Sequence, residues 1–208
     1  MLILSHRGYW IKSAEKNTLQ AIEKSLLHGY GFESDLRDYE YGLVISHNIA
    51  DKESPDAEEV FKLLQEYGDN YCFAINIKSD GLKERLQQML IKYNIKNYFT
   101  FDMSVPQMIE YKEQGIVFFT RQSEYEKQPV MLEESSGVWL DAFEDDSWID
   151  KNLINGYLKK GKKVCIVSPD LHGKETQEFW ARLKGYEIST DDLLLCTDKP
   201  DEARTYFA

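Results

Sequence analysis

Eight short apolar runs alternate with amphipathic segments along the 208 residues, and no Gly-rich phosphate fingerprint follows any of them. Together these predict an α/β fold: a TIM (β/α)8 barrel of parallel strands, forming one domain over residues 1–208. A doubly wound open sheet is the alternative topology, and the missing fingerprint counts against it. With 42% apolar residues the chain can bury a sizeable core. Such barrels typically take about 250 residues, so the loops here must be lean.

The strand candidates are Leu2–Ser5, Gly31–Leu36, Cys72–Ile77, Tyr98–Phe101, Ile116–Thr120, Gly137–Asp141, Lys163–Val167 and Leu193–Leu195. Helices are predicted between them at Thr18–His28, Asp56–Tyr67, Leu82–Tyr93, Ser104–Glu113, Trp148–Lys159 and Lys174–Lys184. In the second of these, Ala57, Val60, Phe61, Leu64 and Tyr67 recur at helical spacing and form one apolar face. Less marked helical patterns follow Thr120 and cover Pro200–Tyr206. Asn17-Thr18 and Ser104 are suited to capping helix starts, and His28-Gly29 to closing one. Gly42, following Tyr41, marks a turn before the short apolar run Leu43–Ser46.

Charge and cysteine usage exclude several function classes. The net charge is −11 with no basic stripe, which argues against nucleic acid as a bulk ligand. An acidic protein that binds phosphate therefore needs a metal or a few placed cations. Cys72, Cys165 and Cys196 each fall in or beside an apolar run, as reduced core thiols do. No segment approaches the ~18 apolar residues of a membrane span. The N-terminus lacks a signal-peptide pattern, and the expected location is cytoplasmic.

In a barrel of this kind the reactive side chains gather at the C-terminal ends of the strands. His6 directly follows the first strand. Glu33 and Asp35 lie two apart, so they project to the same side of the second. Two carboxylates aimed together repel unless a cation lies between them, and hard oxygen ligands favour Mg²⁺ or Ca²⁺. Asn76 and Lys78 share a face in the same way on the third strand. His47 ends the Leu43–Ser46 run, and an imidazole suits proton transfer near neutral pH. His28, next to Gly29 at a helix end, reads as structural, and Trp139 and Trp148 as packing residues.

The residues His6-Arg7-Gly8, Asn17-Thr18, Glu33-Ser34-Asp35 and Ser46-His47, in this order, resemble the glycerophosphodiester phosphodiesterase family. That family belongs to a wider class of barrel phosphodiesterases that includes phosphatidylinositol-type phospholipases C. The resemblance is dense over residues 3–48, and Thr197-Asp198-Lys199-Pro200 is similar to the family's closing motif. It implies that His6 and His47 act as general acid and base and that Arg7 and Lys78 meet the phosphate. It also implies that Glu33 and Asp35 ligate a divalent metal, Mg²⁺ or Ca²⁺. The implied substrate is a small-molecule phosphodiester, glycerophosphodiester-like or containing a sugar phosphate.

Three positions depart from the family pattern. Asn76 stands where the family has a third metal carboxylate, Lys16 where it has a glutamate, and Asn48 where it has an aspartate. These imply a divergent, short subgroup. Either Asn76 ligates through its carbonyl or another acid completes the metal set, with Asp141 the first candidate and Asp102 and Asp170 the others. Arg121, after the fifth strand, and Asp170 and His172, after the seventh, are further candidates for substrate or phosphate contact. Two other readings fit the same barrel. One is different phosphoester chemistry, on a monoester or by cyclisation. The other is a phosphate-ligand-binding barrel without catalysis.

Overall fold

A computed structural model describes residues 1–40 and 42–208 of the chain. Among these residues nine strands form one sheet: β1 (Leu2–His6), β2 (Gly31–Tyr39), β3 (Gly42–Ile45), β4 (Phe73–Ile77), β5 (Tyr98–Phe101), β6 (Phe119–Gln122), β7 (Gly137–Leu140), β8 (Lys163–Val167) and β9 (Leu193–Thr197). The hydrogen-bonded order is β5-β4-β2-β1-β9-β8-β7-β6, with every neighbouring pair parallel. Strand β3 lies outside this path, antiparallel to β2. The two ends of the path meet where Thr100 pairs with Phe118 and its N–H donates to the Val117 carbonyl at 2.9 Å. Eight parallel strands thus close into the barrel that the sequence predicts.

Among the described residues seven α-helices pack around it: α1 (Leu19–Leu27), α2 (Ala57–Tyr67), α3 (Lys83–Lys92), α4 (Val105–Glu113), α5 (Lys151–Lys159), α6 (Gln177–Gly185) and α7 (Pro200–Phe207). Thr18, Asp56, Ser104 and Asp150 cap α1, α2, α4 and α5 by accepting first-turn N–H groups. The helical pattern read after Thr120 forms no helix. Residues 123–136 run as turns, because Ser123 Oγ accepts from Tyr125 and Glu126 N–H, and Thr120 Oγ1 donates to the Val130 carbonyl. Pro129 lies in the same stretch and cannot donate within a helix. The fifth strand begins at Phe119 rather than Ile116, and α5 begins three residues after Trp148. Tyr41, which the sequence places before the turn expected at Gly42, lies outside the described residues.

The period-two alternation of the strands sorts the core into layers. Leu4, Ala74, Phe99, Phe101, Phe119, Trp139, Cys165, Leu194 and Cys196 form one buried cluster. Phe99 stacks on Phe119 at 3.8 Å between ring centroids, and Phe101 on Trp139 at 3.9 Å. Two glycines admit these large side chains. A Cβ on Gly31 would come within 2.6 Å of Leu4, and one on Gly137 within 2.5 Å of the Phe119 ring. The alternate residues Phe32, Leu36, Ile75 and Ile77 pack in a separate cluster with the helix residues Ile22, Val60 and Phe61. His6 follows Leu4 by two residues, Asn76 follows Ala74, Arg121 follows Phe119, Asp141 follows Trp139 and Asp198 follows Cys196. Each therefore continues the inward face of its strand one step toward the C-terminal end. The apolar plug becomes a floor for a polar layer.

Candidate active site

Strands β1 and β2 set the centre of that layer, because the register pairs His6 with Glu33 and then Asp35 with Asn76 on β4. His6 Nδ1 lies 2.7 Å from Asp198 Oδ1, and Nε2 lies 3.8 Å from Glu33 Oε2. One imidazole thus stands between two carboxylates. The Arg7 backbone, at φ +57°, brings its N–H to Glu33 Oε2 at 3.1 Å. The Arg7 guanidinium pairs with Asp35 Oδ2 at 3.0 Å, and Lys78 Nζ with Asp35 Oδ1 at 3.1 Å. Asn17, also left-handed at φ +62°, donates its amide to Asp35 Oδ2 at 2.8 Å. Its side-chain oxygen accepts from Ser34 Oγ at 2.8 Å.

Both β2 carboxylates are buried, and their neighbouring charges divide them. Glu33 is 1% exposed and Asp35 0%. Desolvation, reinforced by the negative charge of Asp35, pushes Glu33 up to about 7. Burial also raises Asp35, but Lys78, Arg7 and the Asn17 amide outweigh it and hold the group below the usual carboxylate range. Asp198 is likewise raised by burial and lowered further by His6 and Lys16, ending below its ordinary value. Adjacent acids with opposite shifts are a recurrent property of acid–base sites.

His47 is exposed, and its Nδ1–H donates to Asn48 Oδ1 at 3.0 Å. It lines an open groove of about 380 Å³ together with Arg7, Lys16, Asn17 and Ser46. His47 thus shares a groove with Arg7, with no direct bond between the two histidines among the described residues.

The later candidates form a second cluster. Asp141 Oδ1 pairs with His172 Nε2 at 2.7 Å, and the His172 ring lies 5.1 Å from that of Phe143. Arg121 pairs with Asp102 at 3.1 Å and also with Glu126. Burial raises Asp102 above the usual range, while the positive charges of Arg121 and Lys78 pull it down. The Lys78 charge thus reaches from the first cluster into the second. Asp170 Oδ2 accepts from Thr197 Oγ1 at 2.8 Å and from the Asp198 N–H at 2.6 Å. Asp170 therefore braces the loop that presents Asp198 to His6.

Sequence reasoning left Asp198 inside a closing motif and Asn17 beside a helix cap. The structure makes Asp198 the partner of His6 and Asn17 a donor to Asp35, while Thr18 does the capping. Lys16 also joins the site, pairing with Asp198 Oδ2 at 3.3 Å. Their signal was the motif match itself, since nothing in residue type alone shows that positions 6 and 198 meet.

Glu33, Asp35 and Asn76 offer hard oxygens of the kind that Mg²⁺ and Ca²⁺ take. Asn76 is 8% exposed, and among the described residues no donor reaches its Oδ1. A buried acceptor without a donor, beside Asp35 in the sheet register, fits a cation ligand. Only two of the three groups carry charge, and among the described residues no three His, Cys, Asp or Glu are grouped to hold a metal. The donor chemistry fits a hard divalent cation, with less charge than an all-carboxylate site supplies.

The sequence matches no family model and no curated protein. Solved structures do match over nearly the full length. A protein from Galdieria sulphuraria proposed to be a glycerophosphodiester phosphodiesterase aligns with TM-score 0.79 and 18% identity, covering 99% of this chain and 97% of that one. The glycerophosphodiester phosphodiesterase from Agrobacterium tumefaciens str. C58 aligns with TM-score 0.73 and 14% identity, covering 98% and 99%. A Ca²⁺-dependent phosphatidylinositol-specific phospholipase C from Streptomyces antibioticus aligns with TM-score 0.59 and 11% identity, covering 100% and 95%. Among the described residues no helix is long and apolar enough to cross a membrane. The chain thus has the barrel fold that these phosphodiesterases share.

Proposed function

We propose that this protein hydrolyses a small-molecule phosphodiester, glycerophosphodiester-like or containing a sugar phosphate, with His6 and His47 as the acid–base pair. The observation that carries the reading is the His6 imidazole, held between Asp198 and Glu33 beside the Arg7–Asp35–Lys78 cluster. Arg7 and Lys78 supply fixed positive charge for phosphoryl oxygens, and an arginine fork can take two of them. Asp198 accepts from Nδ1–H of His6, which leaves Nε2 free to move a proton at the reacting oxygen. One histidine takes the proton of the attacking water or hydroxyl, and the other protonates the departing alkoxide. Glu33 and Asp35, with Asn76, would hold Mg²⁺ or Ca²⁺, which supplies Lewis-acid polarisation of a phosphoryl oxygen. Proteins named as phosphodiesterases share this fold, which supports the diesterase reading.

The test is a panel of phosphodiesters, phosphomonoesters and lipid-derived diesters with Mg²⁺ or Ca²⁺ present. Hydrolysis of a diester releases one alcohol and one phosphomonoester. A cyclic product would point to a cyclising enzyme instead, and phosphate released from monoesters alone to a monoesterase. Binding of phosphate without turnover of any ester would leave a ligand-binding barrel.

Metal affinity gives a separate check. Changing Asn76 to Glu adds a carboxylate beside Asp35 and should tighten Mg²⁺ or Ca²⁺ binding by roughly an order of magnitude, while Asp35→Asn should abolish it. Calorimetric titration of both cations into wild type and the two variants reads this directly. An unchanged affinity in Asn76→Glu, with binding lost in Asp35→Asn, places Asn76 outside the ligand set and makes Asp141 the next candidate.

A further inference from the structure

The cations around His6 fall into two groups that share no carboxylate. Arg7 and Lys78 both pair with Asp35, at 3.0 and 3.1 Å. Lys16 pairs with Asp198 at 3.3 Å, and that carboxylate also holds His6 Nδ1 at 2.7 Å. Two ionised acids thus serve four nitrogen-bearing side chains. In a chain of net charge −11, three cationic side chains gathered around one strand end are not the background composition.

Lys16 is also held in place. Its ammonium lies 4.2 Å from the centroid of the Trp10 ring, and Trp10 Nε1 donates to the His6 carbonyl at 3.0 Å. The ring fixes the lysine to the strand end that carries His6, and a cation over an indole face is stabilised there. Lys16 remains 23% exposed and lines the same groove as Arg7, Asn17 and His47. A preorganised ammonium facing an open groove, apart from the Arg7–Lys78 pair, is suited to a second anionic group on the ligand.

We propose that Lys16, positioned by Trp10, forms a subsite for a second anionic group, so that the preferred substrates are phosphodiesters carrying a further carboxylate or phosphate. This rests on the diesterase reading above and narrows its substrate class. The diester phosphate lies against Arg7 and Lys78, and the second anion extends along the groove to Lys16. Diesters of neutral or cationic alcohols leave that ammonium without a substrate partner.

Calorimetric binding of two probes, inorganic phosphate and pyrophosphate, without divalent metal, tests the subsite apart from turnover. Wild type should bind pyrophosphate about tenfold or more tighter than phosphate, the scale of one hydrogen bond to a charged group. Lys16→Gln should remove most of that difference and leave phosphate affinity within about twofold. Lys16→Glu should reverse the preference. Equal affinity for the two probes in wild type would overturn the proposal. So would a parallel loss of both in Lys16→Gln, which would show that Lys16 acts only through Asp198. The diester panel fails or succeeds independently. Probe discrimination without any diester turnover removes the enzyme reading and keeps the subsite. Turnover without discrimination removes the subsite alone.

Discussion

Replacing His6 with Ala should lower diester turnover by at least about 10², the lower end of what a positioned acid–base group contributes. The side chain sits where the argument needs it, with Nδ1 on Asp198 and Nε2 facing Glu33 at 3.8 Å. Asp198→Asn gives a more specific test. An amide can present N–H to Nδ1 in place of an acceptor, which favours the other tautomer and turns the Nε2 lone pair into a bound proton. Turnover should fall by an amount on the order of the His6→Ala loss, with KM little changed, because Asp198 positions the imidazole and does not touch the phosphate. The tautomer logic is the one that governs hydrolase triads generally. His47→Ala should cost a comparable factor if the groove histidine is the second member of the pair. Thermal melts of each variant exclude a folding defect. Full activity in both His6→Ala and His47→Ala, on a substrate that wild type turns over, would end the acid–base assignment.

Much of the barrel was legible because its physics is local. Tyr98–Phe101 and Lys163–Val167 were read to the residue, and other strands to within a few residues, since short apolar runs between capped helices leave little freedom. The pattern after Thr120 misled because its apolar residues are drawn into turns by Ser123 and Thr120 hydroxyls. Same-face spacing correctly joined Glu33 to Asp35, and register then added His6 and Asn76. What local spacing could not show is closure of the ring. Asp198 meets His6 only because β9 returns beside β1, 192 residues later. Lys16 stood out as a departure from a motif, but its support by Trp10 and its pairing with Asp198 depend on that same return.

Stability measured against pH should expose Glu33 without any substrate. Its folded pKa is pushed up to about 7 by burial and by Asp35, from an ordinary 4.5. Below about 4.5 the group is protonated in both the folded and the unfolded chain, and its environment costs nothing. Between 4.5 and 7 the folded state binds the proton more tightly, so stability falls as pH rises. Above 7 the carboxylate is ionised in both states and the loss is complete, roughly 3 kcal/mol on the scale of 1.36 kcal/mol for each pH unit. Asp35 has the opposite sign. Held low by Lys78 and Arg7 against its burial, it contributes stability at neutral pH that is lost only as the pH falls well into the acid range. The Asp35 window lies at lower pH, and Asp102, also raised by burial, is common to both proteins, so the difference between wild type and a Glu33 variant reports Glu33. Glu33→Gln keeps an oxygen for the Arg7 N–H and removes the titration. Urea unfolding midpoints, with a chelator present, should fall from pH 5 to pH 8 more steeply for wild type than for the variant. Glu33→Gln should therefore be the more stable protein at pH 8. Adding excess Mg²⁺ at pH 8 should restore wild type and leave Glu33→Gln behind, because the cation favours the ionised carboxylate. Parallel pH profiles in the two proteins would show that Glu33 ionises at an ordinary pH, and that its burial beside Asp35 does not set the protonation of this site.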